Sequence, residues 1–253
     1  MMPPDYRISD DEIRTIEAVE LSHWFYCGMR EIGSVLMWPF VPSRRPLRVL
    51  DIGCGTGGNL LQLRSLGDVQ GLDPNPLCVE YCRRKGLACA EGSMTDLGGV
   101  PGPFDVVTMF DVLNQAAPAE VPAILAAIRT LLAPDGVLFF REPAMPIAGG
   151  AHDRAVGIRQ RFTRAGVEAV LTQAGFEPLR ITYLNTLLFP AIVLRRRGRD
   201  IIAGRDHAAS DVRPTSPIVN ALLLGVLRLE GLLLRMMNLP FGVSVFAAAR
   251  QRP

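Results

Sequence analysis

The chain has 253 residues, with 27 lysines and arginines against 25 aspartates and glutamates, so its formal net charge at pH 7 is +2. This length suits one α/β domain with added elements, and so balanced a charge argues against a nucleic-acid partner. Five cysteines and a polar, acidic N-terminus predict a cytoplasmic protein with reduced thiols and no signal peptide, rather than a disulfide framework. No uncharged apolar run is long enough to predict a membrane-spanning helix.

The first 46 residues are predicted to form an N-terminal helical cap. A helix is expected from about residue 11, where apolar residues recur at helical spacing and Ser9 can cap the N-terminus. The aromatic-rich segment HWFYCGMREIGSVLMW predicts a second helix. Pro39, Pro42 and Pro46 then end it before the first strand.

Residues 47–194 alternate short apolar runs with helical segments, which predicts the core of the fold. Strands are expected at residues 48–52, 68–72, 87–90, 104–110 and 136–141. A helix, a stop at Gly175 and a further strand follow, and VSVFAAARQ predicts a terminal strand within residues 239–253. Buried strands joined by helices are typical of an α/β fold with a Rossmann-like, doubly wound and mostly parallel sheet.

Residues 195–238 are predicted to be a C-terminal helical insertion that shapes the substrate site. Residues 195–217 carry six arginines with little periodicity and are expected to form a surface loop or lid, a nucleic-acid-binding arm being the less favoured alternative. Residues 217–237 predict an amphipathic helix, whose polar residues gather within about 160° of arc. Its apolar face is expected to pack on the core, the alternatives being a greasy substrate tunnel or a membrane surface.

The segment VLDIGCGTGGNL contains a glycine turn that joins the first strand to the next helix. Gly53, Gly55 and Gly57 form a G-x-G-x-G loop, whereas Gly53, Gly55 and Gly58 match the dinucleotide fingerprint G-x-G-x-x-G. Both patterns are compatible with an adenine cofactor. Asp73, at the end of the second strand, can accept from both hydroxyls of a cofactor ribose. The turn alone therefore leaves nicotinamide and S-adenosyl cofactors open.

Asp51 distinguishes these two cofactors. It stands two positions before the first glycine, where a carboxylate would repel a pyrophosphate but attract the ammonium and sulfonium charges of S-adenosylmethionine. A nicotinamide enzyme is further disfavoured because Tyr81 and Lys85, the one Tyr-x-x-x-Lys pair, lie on an early helix. The charge argument therefore favours methyl transfer.

The cysteines offer one weak metal motif. Cys78 and Cys82 stand four residues apart on a predicted helix and could present two thiolates, but no second ligand pair lies nearby in sequence. They are therefore interpreted as small apolar helix residues, and no metal site is predicted.

Several segments in order resemble the motifs of class I S-adenosylmethionine-dependent methyltransferases. VLDIGCGTG resembles their first motif, GLDPNP the second, AEGSMTDL the third, FDVVTMFDVLNQ the fourth, and LLAPDGVLFFREPA the loop and strand that follow. The outer segments ELSHWFYCGMREI and HDRAVGIRQRFTRAGVEAVL are similar to a bacterial methyltransferase-11/12-like subgroup, which often modifies small metabolites, glycans or lipid-linked intermediates. The resemblance implies S-adenosylmethionine as cofactor and a non-protein acceptor.

The chain departs from the family pattern at several positions. Ser93 stands where the third motif often has Asp, so an adenine contact would come from Ser93, the backbone or Asp96. The fourth motif often ends Glu-His, where this chain has Asn114 and Gln115. In the outer segments, Cys27, Met29 and Ile158 replace two arginines and a histidine.

The resemblance implies a set of cofactor-binding residues. The glycines with Asp51 and Cys54 would approach the methionine part, Asp73 would hold the ribose with Pro74 or Asn75 beside it, and Ser93 with Met94 would border the adenine. Asp111, next to Phe110, would face cofactor or substrate, the alternative being a helix N-cap. Trp24, Tyr26 and Arg30 would form a lid, or else a plain hydrophobic cap.

Methyl transfer depends mainly on alignment, but a hydroxyl acceptor gains from a general base. His152 is the candidate base, with Asp153 to orient its ring, and a surface histidine is the equal alternative. Arg159 and Arg161 could pair with an anionic substrate, although exposed arginines are commoner.

The sequence therefore predicts S-adenosylmethionine-dependent methyl transfer to a small-molecule acceptor, hydrophobic or linked to lipid or glycan. Oxygen, nitrogen and carbon nucleophiles stay open. The alternatives are a nicotinamide-dependent oxidoreductase and a non-catalytic, cofactor-binding partner subunit. The protein is expected in the cytoplasm, with residues 217–237 offering a peripheral contact to a membrane or lipid.

Overall fold

The computed structural model describes residues 8–149, 153, 156–203 and 215–252, with the backbone alone for residues 199–203. A seven-stranded sheet has the order β3-β2-β1-β4-β5-β7-β6, in which β7 runs antiparallel to both its neighbours and the other pairs are parallel. The strands are β1 Leu47–Ile52, β2 Gly67–Asp73, β3 Ala88–Glu91, β4 Phe104–Phe110, β5 Leu132–Pro143, β6 Phe176–Leu184 and β7 Ser244–Gln251. The predicted mostly parallel, Rossmann-like sheet is confirmed.

Eight α-helices accompany the sheet within the described part of the chain. They are α1 Asp10–Val19, α2 Trp24–Met37, α3 Gly58–Leu63, α4 Pro76–Arg84, α5 Val121–Leu131, α6 Arg164–Gln173, α7 Phe189–Ala203 and α8 Pro217–Met236. The predicted cap at Ser9 is present, because its side chain accepts from the Glu12 amide at 3.2 Å. The predicted stop at Gly175 is also present: α6 ends just before it, and Gly175 has a left-handed φ of +83°.

Apolar side chains cover both faces of the sheet because successive residues of a strand point to opposite sides. On β1, Leu50 and Ile52 join one buried cluster, whereas Leu47 and Val49 join the cluster beneath α2 and α8. The parallel strands therefore read as continuous apolar runs, and their carboxyl ends meet at one edge. Ligands bind at this edge in open α/β sheets.

The loop predicted from residue 195 is wrong for residues 195–203, which continue α7. Arginine favours the helical conformation, but a run of arginines shows no apolar periodicity. The helix was therefore not predicted from the sequence pattern. The buried Arg196 guanidinium anchors this helix by donating to the Ala148 carbonyl at 2.8 Å. The rest of the predicted loop, residues 204–214, lies outside the described residues.

Helix α8 forms as predicted, but only part of its apolar surface, including Leu227 and Leu234, packs on the core. Two of its polar residues also face the protein: Asn220 accepts from the Trp24 amide at 2.7 Å, and buried Glu230 accepts from the Asn185 and Leu187 amides at 2.6 and 2.9 Å. These polar groups satisfy backbone donors that would otherwise be buried without partners. A stripe of apolar side chains faces outward instead, formed by Ile218, Leu222, Leu229, Leu232 and Met236, each 54–85% exposed.

The same helix meets the length and composition expected of a membrane span. It has 20 residues with a mean hydropathy of 1.7, and 22% of the apolar window is buried against the protein. No other described helix meets both conditions.

Candidate active site

A cavity of about 340 Å³ lies at the carboxyl ends of β1, β2, β4 and β5, roofed by α1 and α2. Thirteen of the residues predicted to bind cofactor or substrate line it: Tyr26, Arg30, Gly53, Cys54, Gly55, Asp73, Pro74, Asn75, Ser93, Met94, Phe110, Asp111 and Arg161. The structure therefore brings together residues from the cap, four strand ends and the segment after β5. Its volume falls within the range of small-molecule sites.

The glycine turn fits a ligand because its backbone leaves space that a side chain would fill. Gly55 has φ at +55° and lines the cavity, and a Cβ there would meet no atom within 4 Å. Gly53 has φ at +70°, and a Cβ there would lie 2.2 Å from Val112. Both positions suit glycine alone, and Gly55 leaves its face open to the cavity.

Gly57 does not line the cavity, although the resemblance places it in the cofactor-binding set. With φ at +99° it precedes the first residue of α3, and a Cβ there would lie 2.7 Å from Leu87. Its requirement for glycine therefore comes from helix packing against the strand beside it.

Asp73 holds the glycine turn in place. Its two carboxylate oxygens accept from the Gly55 and Asn75 amides, each at 2.9 Å. Burial raises the pKa of Asp73, and these two amide hydrogen bonds oppose the rise. Each oxygen keeps a further lone pair for a ligand hydroxyl, so Asp73 can both shape the turn and bind a ribose.

Asp51 does not line the cavity and is 1% exposed, so it makes no direct contact there. It pairs in register with Thr108 on β4, whose hydroxyl donates to Asp51 Oδ1 at 2.6 Å. Its Oδ2 is buried without a partner among the described residues. Burial raises the pKa of Asp51 to about 7, against the Thr108 hydrogen bond.

This raised pKa predicts a pH-dependent stability. The folded chain keeps a proton on Asp51 that the unfolded chain releases near its ordinary pKa of 3.8. The free energy of unfolding should therefore fall as pH rises from about 4 to about 7, by on the order of 4 kcal/mol from this group. In Asp51→Asn that contribution should be absent, so the variant should gain stability over the wild type toward pH 8.

Urea unfolding at several pH values measures this difference. The exposed Asp96→Asn is the matched control and should follow the wild-type curve. If the wild type and Asp51→Asn ran parallel from pH 4 to 8, the buried proton would be disproved.

Arg141 is a cavity residue that the sequence reasoning missed. Its guanidinium forms a two-pronged ion pair with Asp111 Oδ2, with Nε at 3.0 Å, and lies 5.1 Å from the centre of the Phe110 ring. Asp111 has a left-handed φ of +61° that holds this geometry. Asp111 therefore faces the cavity with an arginine as its partner and is not a helix N-cap. The two adjacent charged residues in the otherwise apolar segment FFREPA were the available signal.

Glu142 occupies the capping position considered for Asp111. It is fully buried and accepts from the Leu113 and Asn114 amides at 2.8 and 3.0 Å, and from the Asn114 side chain at 2.8 Å. Burial raises the pKa of Glu142 to about 8, with the Asp111 carboxylate adding to the rise. Glu142 therefore fixes the loop after β4. Because Asp111 begins that loop, Glu142 also helps to hold Asp111 in position.

The cap contributes acids that no motif indicated. Glu12 lines the cavity, and its Oε1 is buried without a partner among the described residues. Glu20 Oε2 accepts from the Gly58 amide at 3.1 Å while its other oxygen pairs with Lys85 at 2.5 Å. Lys85 is therefore engaged in this ion pair, away from any reacting group.

Tyr26 and Arg30 line the cavity as predicted, but Trp24 does not. The Trp24 side chain packs against the apolar cluster beneath α2, with its ring 5.8 Å from Phe25. Burial raises the pKa of Tyr26, and the Glu12 and Asp111 carboxylates add to the rise. The Tyr26 phenol therefore stays protonated and can donate a hydrogen bond into the cavity.

The predicted catalytic and substrate residues have mixed outcomes. His152 lies outside the described residues. Asp153 accepts from Arg161 through both oxygens, at 2.5 and 2.8 Å, so Arg161 is its partner within the described part of the chain. Arg161 lines the cavity, whereas Arg159 is exposed and its Nη1 donates to the Gln115 carbonyl at 3.5 Å.

No described residue of the predicted C-terminal insertion lines the cavity. Helix α8 packs on the outer side of α2, where a Cβ at Gly28 would lie 2.4 Å from Leu227. The far end of the cavity is apolar and comes from other segments, through Pro143, Val156, Ile158 and Val243.

Comparison with known proteins agrees with this geometry. A curated relative, the uncharacterised protein RP028 of Rickettsia prowazekii (strain Madrid E), is 26% identical over 156 residues, which span 58% of this chain and 62% of that protein. A chain in the complex of the Haloferax volcanii methyltransferase activator Trm112 aligns with a TM-score of 0.62 at 19% identity, over 96% of both chains. Phosphoethanolamine N-methyltransferase 2 of Haemonchus contortus, solved with S-adenosyl-L-methionine, aligns with a TM-score of 0.62 at 19% identity, over 97% of this chain and 58% of its own.

At such identities the structural likeness shows the fold, and the family is shown by sequence. The profile described as "Methyltransferase domain" matches residues 31–181, which is more than half of the chain. The alternative of a nicotinamide-dependent oxidoreductase is therefore wrong. The chain belongs to the methyltransferase domain family and has the fold of class I methyltransferases.

Proposed function

We propose that this enzyme methylates a small, largely apolar acceptor that carries one polar or anionic group. The observation that carries the proposal is the composition of the cavity's far end, where Pro143, Ile158 and Val243 stand beside Arg161. An apolar wall favours a hydrophobic skeleton, and the Arg161 guanidinium, which pairs with Asp153, can donate its remaining N–H groups to one hydrogen-bond-accepting group on that skeleton. A lipid-linked or terpenoid acceptor has this character.

The cofactor would be held by the opposite end of the same cavity. Asp73 would bind the ribose, Ser93 and Met94 would border the adenine, and the open face of Gly55 would admit the methionine part. When bound, S-adenosylmethionine supplies an electrophilic methyl group on a positively charged sulfur. Glu12 lines the same cavity, and its buried Oε1 has no partner among the described residues. A cationic ligand would provide that partner, whereas a neutral ligand would leave the carboxylate uncompensated.

The chain's contribution to the chemistry would be alignment more than proton transfer. Tyr26 keeps its proton, so it would donate a hydrogen bond and would not act as a base. Asp111 is neutralised by Arg141, which leaves its carboxylate a positioning group. His152 stays the proposed base for a hydroxyl acceptor, with oxygen, nitrogen and carbon acceptors all open.

Incubation of the purified enzyme with S-adenosyl-L-methionine labelled in its methyl group tests the acceptor class. Extracts are separated into lipid, polar metabolite and protein fractions, and label is expected in the lipid-soluble fraction. Arg161→Gln should raise KM for that acceptor while S-adenosylhomocysteine affinity stays within about twofold. Label confined to polar metabolites or protein would contradict the apolar acceptor.

We also propose that α8 rests on a membrane surface, which would bring the enzyme to an apolar acceptor. The outward stripe runs from Ile218 to Met236, about 27 Å at 1.5 Å per residue. Exposed Arg235 stands at its C-terminal end, where it suits anionic headgroups. Free cysteines support a cytoplasmic location, with peripheral contact to the bilayer.

Leu222→Glu combined with Leu229→Glu is expected to weaken binding to mixed phosphatidylcholine and phosphatidylglycerol vesicles by about a hundredfold. The variant removes two exposed apolar side chains, each worth about 1.5 kcal/mol on burial in lipid, and adds repelling charge. Vesicle sedimentation measures the binding. Ile147→Glu, at an exposed apolar residue outside α8, is the control and should bind like the wild type. Dimerisation through the stripe with no vesicle binding would contradict the membrane contact.

A further inference from the structure

Three cysteines from separate elements converge behind the glycine turn. Cys54 lies in the turn itself, Cys82 on α4 and Cys89 on β3. The Sγ atom of Cys54 lies 3.4 Å from that of Cys89 and 4.0 Å from that of Cys82, and all three sulfurs lie within 4.8 Å of one another. All three are free thiols, two of them buried and Cys89 partly exposed.

These spacings match those of sulfurs that share one metal ion. A metal bonded to three sulfurs at about 2.3 Å holds them about 3.8 Å apart in tetrahedral geometry and about 4.0 Å apart in trigonal geometry. The observed separations lie around these values without any backbone movement. Gly71 makes room for the arrangement, since a Cβ there would lie 2.7 Å from Cys54 Sγ.

The three cysteines would bind a metal as thiolates, which are the form of cysteine that coordinates metal ions, so their protons would be released on binding. Cys78 lies outside the cluster, so the pair four residues apart on α4 is not the relevant one.

We propose that Cys54, Cys82 and Cys89 form a binding site for one soft, thiophilic cation of the Cu⁺ or Zn²⁺ class. The ligand set is all sulfur, which selects soft ions over Mg²⁺, Ca²⁺ and Mn²⁺. Three protein ligands leave one position for an added thiol or water, reached from the partly exposed side of Cys89. The site shares Cys54 with the lining of the cofactor cavity, and it also contacts the glycine turn because the Cys82 thiol donates to the Gly55 carbonyl at 3.3 Å.

Titration of the reduced, metal-free enzyme with Cd²⁺ tests this site. Thiolate-to-metal charge-transfer absorbance is expected to saturate at one Cd²⁺ per chain, and the melting temperature is expected to rise. Zn²⁺ should displace the Cd²⁺ and abolish the band. Cys89→Ser, on the partly exposed edge strand, should lower Cd²⁺ affinity at least about a hundredfold.

Cys27→Ser is the matched control, because this thiol donates to the Leu21 carbonyl away from the cluster. It should bind Cd²⁺ like the wild type. Binding of S-adenosylhomocysteine confirms that each variant is folded. A reduced wild type that takes up no Cd²⁺, or a Cys89→Ser variant that binds it equally well, would overturn the proposal. A Cys54–Cys89 disulfide formed in air with no Cd²⁺ uptake after reduction would overturn it in favour of a redox pair.

Discussion

Asp73→Ala is expected to weaken binding of S-adenosylhomocysteine by two to three orders of magnitude. The substitution removes the acceptor for the Gly55 and Asn75 amides and the proposed acceptor for the ribose hydroxyls. A hydrogen bond to a charged acceptor is worth about 1.5–3 kcal/mol, so losing the bonds to the ribose hydroxyls accounts for most of that factor. The two amides left without an acceptor lower the stability of the glycine turn in addition. Isothermal titration calorimetry measures the affinity directly.

Two further variants at β2 separate geometry from charge. Asp73→Asn keeps one oxygen and the side-chain shape, so its loss should be smaller, about tenfold to a hundredfold. Asp68→Asn makes the same change at the exposed, opposite end of β2 and should bind like the wild type. Near-equal affinity in Asp73→Ala and Asp68→Asn would refute the assignment of Asp73 to the cofactor.

Gly53→Ala is expected to destabilise the fold by about 2–4 kcal/mol and to abolish measurable cofactor binding at micromolar concentrations. An alanine at φ +70° costs about 1–2 kcal/mol in backbone strain, and its Cβ would overlap Val112 at 2.2 Å. Thermal and urea unfolding measure the stability, and calorimetry measures the binding.

The double variant Gly53→Ala with Val112→Ala divides these two costs. It should relieve the overlap but keep the strain, so stability should recover in part and cofactor affinity should stay low. Gly33→Ala is the control, because that position lies in α2 with no atom within 4 Å of the added Cβ, and it should be neutral or stabilising. Full recovery of binding in the double variant would show that the backbone conformation is not required.

The comparison of sequence with structure separates local from long-range determinants. The strands and most helices follow from periodicity and caps, as at Ser9, because these depend on neighbouring residues. The prediction of a loop at residues 195–203 was wrong. The helix there is held through Arg196, whose partner, the Ala148 carbonyl, is distant in sequence. Asp111 gained its arginine partner through the pairing of β4 with β5, a contact that no local pattern contains.

Helix α8 shows the same division most clearly. Its amphipathic pattern is visible in the sequence, but which side packs inward depends on what the neighbouring segments require. Asn185 and Leu187 present backbone amides that Glu230 satisfies, so this acid lies on the inward side with the buried Leu227 and Leu234. The need to satisfy these backbone donors favours an orientation that leaves the apolar residues of the opposite side exposed.

The sequence by itself determined the α/β class, the order of elements, the glycine turn and the methyltransferase family, because each is encoded in contiguous residues. Only the tertiary structure decided that Asp51 is buried behind the cavity, that Arg141 and Glu12 enter it, and that three cysteines meet behind the turn. Those outcomes depend on strand register and on the docking of the cap, which place residues from distant parts of the chain within a few ångströms.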